Sequence, residues 1–357
     1  MEKVWIKAIG IAALMILTLV TIAWTFASSP PIPKNFPLSQ KWETKIVGDI
    51  EQISIVDNRI VIARTITRIY ALDATTGNML WERTTAWHLS YQPVIASETM
   101  LFLTDGKGIV ALNKSDGSLV WQQSLRYPSG AEVTDIFQNL IAVNDTPFLS
   151  VYRADDGTLV WDKWVCREPV QTYFFNSHIV VPCFGFIVMD AFSGETILEV
   201  RSEPGLDRIW ESAFADGVVY YSQDLEHISA YDLKNSKQLW NTPLENDRSQ
   251  KFEVFGKNLI VTTDDQICMI NRDTGNITWC VNNLIKASNP TIFADQLYLF
   301  NGLRHGITAY DVREGEQRGR LELPAYNFIT VDNRNLMASS DKFLIFGLRN
   351  YIFAYGK

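Results

Sequence analysis

The four histidines are the residues of this sequence best suited to proton transfer or metal binding: they are His88, His178, His227 and His305. A zinc site is recognised from closely spaced ligands, as in an HExxH motif, and no pair here has such a spacing. His178 begins an apolar strand, whereas the other three fall in loops. The spacing therefore predicts no metal site. A metal site formed by the three loop histidines remains an alternative, but it would require a ring-shaped fold to bring them together.

Four cysteines offer a second kind of chemistry, and their even number is compatible with disulfides in an oxidising compartment. Cys268 and Cys280 flank the stretch MINRDTGNITW. If that stretch is a hairpin, the two residues face each other across it and a bridge is feasible. Cys166 and Cys183 could form a second pair. Buried free thiols are the alternative, and no CxxC or mixed Cys/His zinc pattern is present.

Sequence motifs for catalysis are absent: there is no nucleophile elbow, no P-loop and no GxGxxG between a strand and a helix. The most regularly placed carboxylates, Asp73, Asp116, Asp156 and Asp273, lie in turns, where aspartate is favoured for the turn itself. The net charge of −8 makes a nucleic acid an unexpected partner. We therefore predict no catalytic, cofactor-binding or metal-binding residues.

A repeat of about forty residues organises the sequence. In each unit a short apolar strand leads into a turn, usually with glycine, and then into a strand that usually carries tryptophan. The stretches are YALDATTGNMLWE (70–82), VALNKSDGSLVWQ (110–122), SVYRADDGTLVWD (150–162), IVMDAFSGETILE (187–199), SAYDLKNSKQLWN (229–241), CMINRDTGNITWC (268–280) and TAYDVREGEQRGR (308–320). Leu198 and Gly319 replace tryptophan in two units. Glycine suits these turns because a tight hairpin needs a residue with φ > 0.

Two more alternating strands precede each hairpin, for example MLFLTD (100–105) and QPVIAS (92–97). Four short antiparallel strands per unit, without a helix pattern, favour an all-β propeller with eight four-stranded blades over residues 38–357. The last unit lacks its fourth strand. We therefore predict that 38–45 pairs with 340–357 and closes the ring.

The tryptophan series is interpreted as structural. A residue repeated at one position of successive blades is expected to pack between neighbouring sheets, whereas cofactor stacking would need only one or two special tryptophans. This structural role is predicted for Trp42, Trp81, Trp121, Trp161, Trp240 and Trp279.

The N-terminal segment has the properties of a membrane anchor. Residues 8–27 carry no charge and would span about 30 Å as a helix, the thickness of a bilayer core. Lys3 and Lys7 precede them, which places the N-terminus in the cytoplasm. We predict a cytoplasmic stub and transmembrane signal-anchor over 1–29, a Pro-rich spacer over 30–37, and an extracytoplasmic domain on a single-pass membrane protein. A signal peptide cleaved near Ala27 is the alternative.

The ALDATTGNMLW type of repeat resembles the β-propeller repeat of pyrroloquinoline-quinone enzymes and their non-enzymatic relatives. The dehydrogenase branch usually has a vicinal cysteine pair and a calcium-binding Glu/Asn/Asp cluster, and this sequence has no Cys-Cys dipeptide. The chain is more similar to the non-catalytic branch, which includes the eight-bladed propeller subunit of the outer-membrane β-barrel assembly machinery. That subunit is a lipoprotein, whereas no cysteine precedes Cys166 here.

Loops that gather on one face of a propeller are the expected place for binding. The candidate interaction rim, chosen for its aromatic and basic side chains, is Trp87, Tyr91, Tyr127, Arg167, Trp210, Arg248, Lys286 and Tyr326. We expect a non-catalytic scaffold that binds one or more proteins through this rim and uses no cofactor. A quinone-cofactor dehydrogenase and a sensor for a sugar or peptide are the alternatives.

Overall fold

The computed structural model of the protein describes residues 36–85, 94–105, 107–128, 131–167, 171–201, 209, 211–222, 226–244, 251–263, 266–282, 288–301, 306–323 and 336–357. These residues form eight antiparallel four-stranded sheets, which confirms the predicted all-β, eight-bladed propeller. Across these ranges no helix is both long and apolar enough to cross a membrane. The predicted anchor over 1–29 lies outside the described residues and stays a prediction.

The strands are β1 (Ser39–Lys45), β2 (Ile50–Val56), β3 (Ile60–Thr65), β4 (Arg68–Asp73), β5 (Met79–Thr84), β6 (Ile95–Ala96), β7 (Met100–Thr104), β8 (Gly108–Asn113), β9 (Leu119–Ser124), β10 (Glu132–Phe137), β11 (Leu140–Asp145), β12 (Phe148–Arg153), β13 (Leu159–Trp164), β14 (Tyr173–Phe175), β15 (His178–Cys183), β16 (Gly185–Asp190), β17 (Thr196–Arg201), β18 (Glu211–Ala215), β19 (Val218–Ser222), β20 (His227–Asp232), β21 (Lys237–Pro243), β22 (Lys251–Phe255), β23 (Asn258–Thr262), β24 (Gln266–Asn271), β25 (Ile277–Asn282), β26 (Thr291–Phe293), β27 (Gln296–Asn301), β28 (Gly306–Asp311), β29 (Gln317–Glu322), β30 (Met337–Ser339), β31 (Leu344–Leu348) and β32 (Tyr351–Gly356). Blades 1 to 7 are the seven successive groups of four from β2 to β29, and blade 8 combines β30, β31 and β32 with β1.

Each blade runs from the centre of the ring outwards. First strands of neighbouring blades contact one another, as β10 does with β14 and β18 with β22, so these strands surround the axis. The second and third strands are the most buried, because both of their faces are covered by neighbouring blades; β3 and β4 are almost wholly buried. The fourth strand is the outer edge, where β5 buries only Trp81.

Tryptophan and glycine form the recurring contact between blades. In six joints the indole Nε1 of a fourth-strand tryptophan donates to a backbone carbonyl of the next blade, and its ring covers the glycine of that blade's last turn. The bonds run from Trp42 to Ala74 (3.2 Å), Trp81 to Lys114 (3.0 Å), Trp121 to Ala154 (2.8 Å), Trp161 to Ala191 (3.0 Å), Trp240 to Arg272 (2.7 Å) and Trp279 to Val312 (3.0 Å). The covered glycines are, in the same order, Gly77, Gly117, Gly157, Gly194, Gly275 and Gly315.

The two units without tryptophan face blades that lack this glycine. Leu198 pairs with Val188 at the tryptophan position of blade 4, and the corresponding turn of blade 5 has Ser236 at φ 48° instead of glycine. Gly319 holds the position in blade 7. Blade 8, which follows it, has no turn between its last two strands because they come from opposite ends of the chain. The tryptophan is therefore present where there is a glycine turn to cover, and absent where there is none.

The ring closes between β1 and β32. Trp42 lies opposite Ala354 and Lys45 opposite Tyr351, and the backbone amide of Ile46 donates to the carbonyl of Asn350 at 2.8 Å. Phe36 extends the joint, because its ring packs edge-on against Tyr298 of blade 7 and Tyr355 of blade 8 at 5.7 and 5.8 Å. Strands from near the two ends of the chain thus complete one sheet. Because β1 pairs with β32, the ring has no unpaired strand edge at this joint.

Trp42→Ala tests the joint at which the ring closes. The change removes a buried ring and its hydrogen bond, so the free energy of unfolding should fall by about 3–5 kcal/mol. Urea unfolding followed by circular dichroism measures the loss. The matched control is Trp164→Ala, because Trp164 is 63% exposed and its loss should change stability by less than about 0.5 kcal/mol. Equal stability of Trp42→Ala and the parent would contradict this account of closure.

Gly77→Ala tests the contact from the other side. Gly77 has φ +72°, and an added Cβ would lie 2.5 Å from Cε3 of Trp42. Gly256 also has positive φ, +55°, but an added Cβ would meet nothing within 4 Å. Gly256→Ala should therefore cost only the backbone strain, about 1–2 kcal/mol, and Gly77→Ala should cost more because the indole must move. If thermal unfolding shows equal losses, contact with the ring is not what selects glycine.

Candidate functional site

The two ends of the propeller differ in the loops they carry. Because strands alternate in direction, the turns between first and second strands, such as 57–59, and between third and fourth strands, such as 74–78, share one end, which we call the turn face. Loops between second and third strands, such as 66–67, and the connections between blades, such as 46–49, share the other end, the loop face.

The predicted interaction rim is described only in part. Tyr127, which is 48% exposed, and the exposed Arg167 both lie in connections between blades and hence on the loop face. The remaining rim positions lie outside the described residues: Trp87, Tyr91, Trp210, Arg248, Lys286 and Tyr326. The structure therefore places two members of the predicted rim on one face and leaves the other six as predictions.

The loop face carries aromatic and cationic side chains where blades 3 and 4 meet. We call this cluster the aromatic patch; its members are Arg126, Tyr127, Phe148, Trp164, Arg167 and Phe184. The predicted rim included only Tyr127 and Arg167. Trp164 had a signal in the sequence: it lies three residues after the buried Trp161, so strand alternation directs it to the opposite side. Phe184 had none, since it is a single apolar residue in a short loop.

Contacts link the patch into one surface. The rings of Tyr127 and Phe148 stack with centroids 6.3 Å apart, and the guanidinium of Arg126 lies 4.3 Å from the centre of the Phe148 ring. Phe148 lies opposite Trp164 in the pairing of β12 with β13. Trp164 in turn lines the same cleft as Phe184. The patch is therefore continuous from blade 3 to blade 4.

Asp145 fixes the side of the patch that lies on blade 3. This buried residue at the end of β11 accepts hydrogen bonds from the backbone amides of Arg126 at 3.1 Å and Tyr127 at 2.9 Å. The guanidinium of Arg126 is also held by Asp162, at 3.0 Å. The connection after β9 is thus attached to the strands of blade 3, which holds its aromatic and cationic groups in place.

A cleft of about 250 Å³ opens in the patch beside blade 4. Trp164 and Phe184, 63% and 53% exposed, line it together with Arg167 and Glu199. This volume is slightly below the range of about 300–1,000 Å³ that is typical of small-molecule sites, and it is large enough to receive one apolar side chain. Exposed aromatic residues around an arginine are typical of the positions that dominate protein interfaces.

Both disulfides left open by the sequence are formed. Cys166 joins Cys183 between the connection after β13 and the end of β15, and Cys268 joins Cys280 between the paired strands β24 and β25. The first bridge lines the cleft of the aromatic patch. The second lies within one hairpin of blade 6.

The regular turn carboxylates act locally. Asp73 accepts bonds from the backbone amides of Thr75 at 3.0 Å and Thr76 at 2.8 Å, and the amide of Thr76 is the main cause of its lowered pKa. Asp116 and Asp156 likewise accept from the backbone within their own turns. These three carboxylates therefore stabilise hairpins, as the sequence indicates. In the turn that contains Asp273 the side-chain acceptor is instead Asn271, which accepts from the backbone amides of Asp273 and Thr274 at 3.0 Å each.

Two described histidines lie at opposite ends of the molecule. His178 begins β15 at the turn face and His227 begins β20 at the loop face, whereas His88 and His305 lie outside the described residues. Within the described ranges no group of three or more His, Cys, Asp or Glu side chains could hold a metal ion. The alternative of a cluster of loop histidines stays untested.

Acidic side chains lie near the axis between blades 5 and 6. Glu211 on β18 lies 3.7 Å from the ammonium of Lys251 on β22, and Glu253 follows on the same strand. Burial raises the pKa of both carboxyl groups to about 7, in Glu211 against the opposing effect of Lys251. Tyr173 makes a similar contact between blades 4 and 5, because its hydroxyl donates to the carbonyl of Ser212 at 2.6 Å.

Glu253 predicts a pH dependence of stability. Its folded pKa of about 7 exceeds the ordinary value of 4.5, so between these values the folded chain keeps a proton that the unfolded chain has released. Its contribution to stability is therefore complete below about pH 4.5 and is lost as the pH rises through about 7. Glu253→Gln should be more stable than the parent by up to about 3 kcal/mol at about pH 8, and equally stable at about pH 4.

Urea unfolding of both proteins at the two pH values provides the measurement. Glu211 titrates in both proteins and cancels from the difference. Glu195→Gln, at an exposed turn residue, is the control for the substitution and should change stability by less than about 0.5 kcal/mol. A stability difference between Glu253→Gln and the parent that does not change with pH would contradict the burial argument.

Known structures share this architecture. BamB from Moraxella catarrhalis has a TM-score of 0.71 at 13% identity, covering 90% of this chain and 98% of its own. The computationally designed Ika8 protein has a TM-score of 0.68 at 12% identity, covering 87% and 97%. AztD from Citrobacter koseri has a TM-score of 0.63 at 12% identity, covering 78% and 87%. At these identities the likeness shows the fold alone.

Sequence comparison is more specific. No curated protein sequence matches the chain. The family model described as outer membrane protein assembly factor BamB matches residues 35–153 and 149–354, which together span the whole propeller. Each repeat of this chain forms one blade, and in most blades a tryptophan covers the glycine turn of the next blade. This repeat is the pyrroloquinoline-quinone-like repeat recognised in the sequence. The chain belongs to the BamB family of pyrroloquinoline-quinone-like β-propellers.

Proposed function

We propose that this chain is a membrane-anchored, extracytoplasmic propeller that acts as a non-catalytic scaffold and binds a protein partner through the aromatic patch. The observation that carries the proposal is the exposure of Trp164 and Phe184, 63% and 53%, on supports fixed by hydrogen bonds and a disulfide. Large apolar side chains held in water are costly to the free protein and favourable to an interface.

The composition of the patch indicates the chemistry of the partner. The cleft between Trp164 and Phe184 takes one apolar side chain, and Arg167 beside it favours a carboxylate. Arg126 is already neutralised by Asp162 at 3.0 Å and offers mainly its stacked surface. The partner we propose therefore presents an apolar residue next to an acidic one.

The position of the first described residues supports an orientation. Phe36 and the start of β1 lie at the turn face, since Ser39 pairs with Gly356 at the end of β32. The aromatic patch lies at the loop face, on the opposite side of the ring. An anchor preceding Phe36 would therefore leave the patch directed away from the membrane and open to a partner.

Family membership indicates the setting. The family is described as an outer membrane protein assembly factor. We therefore propose that the partner is a component of a membrane-protein assembly machinery, and that this chain provides a rigid surface instead of a reaction. Among the described residues no observation favours the dehydrogenase alternative: Asp73, Asp116 and Asp156 are used by their hairpins, and the cysteines form two separate bridges.

Affinity capture from detergent-solubilised membranes tests the patch. The bait is the full chain with a C-terminal tag, and the test variant combines Trp164→Ala with Phe184→Ala. We expect the variant to retain at least about tenfold less of the proteins that the parent captures, since two anchor residues are each worth about 1–2 kcal/mol or more.

The matched control combines Leu119→Ala with Val120→Ala, which removes apolar side chains that are 45% and 47% exposed on β9, away from the patch. This control should capture as the parent does. Equal capture by all three baits would exclude the patch as the docking surface. If no protein is captured while a sugar or short peptide strongly raises the melting temperature, the scaffold proposal fails and the sensor alternative replaces it.

A further inference from the structure

We propose that the Cys166–Cys183 disulfide sets the binding geometry of the aromatic patch, so that docking requires the oxidised chain, whereas Cys268–Cys280 contributes to stability alone. This inference rests on the proposed function, because it concerns the same surface. It assigns different roles to the two bridges that the sequence left open.

The first bridge joins segments that carry opposite walls of the cleft. Cys166 lies between Trp164 and Arg167 on the connection that leaves blade 3, and Cys183 directly precedes Phe184 in blade 4. Both cysteines line the cleft together with those three residues. The bridge therefore spans two blades at the point where a partner side chain would enter.

Backbone hydrogen bonds hold the two segments to different neighbours. The amide of Val165 donates to the carbonyl of Pro147 within blade 3, at 3.2 Å. The carbonyl of Cys183 accepts from the amide of Ile209, on the connection towards blade 5, at 2.7 Å. These bonds hold one segment to blade 3 and the other to the connection towards blade 5. The disulfide is the covalent link that fixes the two segments relative to each other.

The second bridge lies in a different context. Cys268 and Cys280 are direct partners in the antiparallel pairing of β24 with β25, which continues on both sides of the bridge from Gln266 to Ile270. Reduction there leaves the strand pairing to hold the geometry. Because the bridges close loops of similar length, 17 and 12 residues, their removal should destabilise the fold by similar amounts. The second bridge is thus a control for stability.

The redox step is an ordinary dithiol exchange. One thiolate of a dithiol attacks a sulfur of Cys166–Cys183, a mixed disulfide forms, and the other cysteine leaves as a thiolate. The second thiol of the reductant then displaces the first cysteine, so two electrons pass to the protein and the dithiol becomes a disulfide. Both cysteines are buried in the folded chain, 5% and 4% exposed, so the exchange requires the cleft wall to open locally. Because the partner binds the oxidised patch more tightly, binding and oxidation should favour each other.

The experiment compares two double variants of the full chain, Cys166→Ser/Cys183→Ser and Cys268→Ser/Cys280→Ser. Hydrogen exchange measures local order, and capture from solubilised membranes measures docking. In the first variant we expect amide exchange over 163–167 and 184–187 to rise at least about tenfold, and capture to fall at least about tenfold. In the second variant both should match the parent, at a similar loss of melting temperature.

Dithiothreitol treatment of the Cys268→Ser/Cys280→Ser variant gives a second test of the first bridge, because Cys166–Cys183 is then the one disulfide left to reduce. Capture should fall on reduction while circular dichroism shows that the fold is kept. Full capture by the first variant would overturn the inference and leave the proposed function standing. Equal loss of capture in both variants would also overturn it, because the effect would then be one of stability. If the parent itself captures nothing, the proposed function fails; unchanged exchange over 163–167 in the first variant would then overturn the positioning role as well.

Discussion

The contact between an indole ring and a glycine turn is the constraint on which this molecule depends. A four-stranded blade has two apolar faces and cannot bury them alone, so each must match the next blade around the ring. Tryptophan supplies both a large apolar surface and one hydrogen-bond donor. Glycine supplies the space for the ring and the positive φ of the turn. The chain keeps these two residues together and, where one is missing, lacks the other: Leu198 replaces the tryptophan in blade 4, and Ser236 replaces the turn glycine in blade 5.

Closure of the ring extends the same contact to the chain ends. Trp42 covers Gly77 of blade 1 while its own strand completes blade 8, so one short segment joins the first blade to the last. A rigid closed ring then provides a frame on which the connections between blades can carry side chains unsuited to packing. The aromatic patch uses this freedom: its residues come from loops and strand ends, and the frame fixes them through Asp145 and the Cys166–Cys183 bridge.

Much of the architecture could be predicted because it is periodic. The spacing of tryptophan and glycine repeats identified the number of blades and the structural role of the turn aspartates. The members of the aromatic patch followed less completely. The predicted rim included Tyr127 and Arg167 but not Trp164 and Phe184, since exposure is a property of the assembled ring. Phe184 is apolar like its buried neighbours in sequence, and nothing local distinguishes it.

The sequence by itself determined the fold class, the repeat and the positions of the interblade contacts, because each of these is encoded within about forty residues and repeated. Tertiary structure alone decided which residues from different blades share a surface, which cysteines form disulfides, and which carboxyl groups near the axis are buried. Glu211 and Lys251 meet only because blades 5 and 6 are adjacent around the axis. Such relations depend on distances across the ring, and a linear repeat carries no information about them.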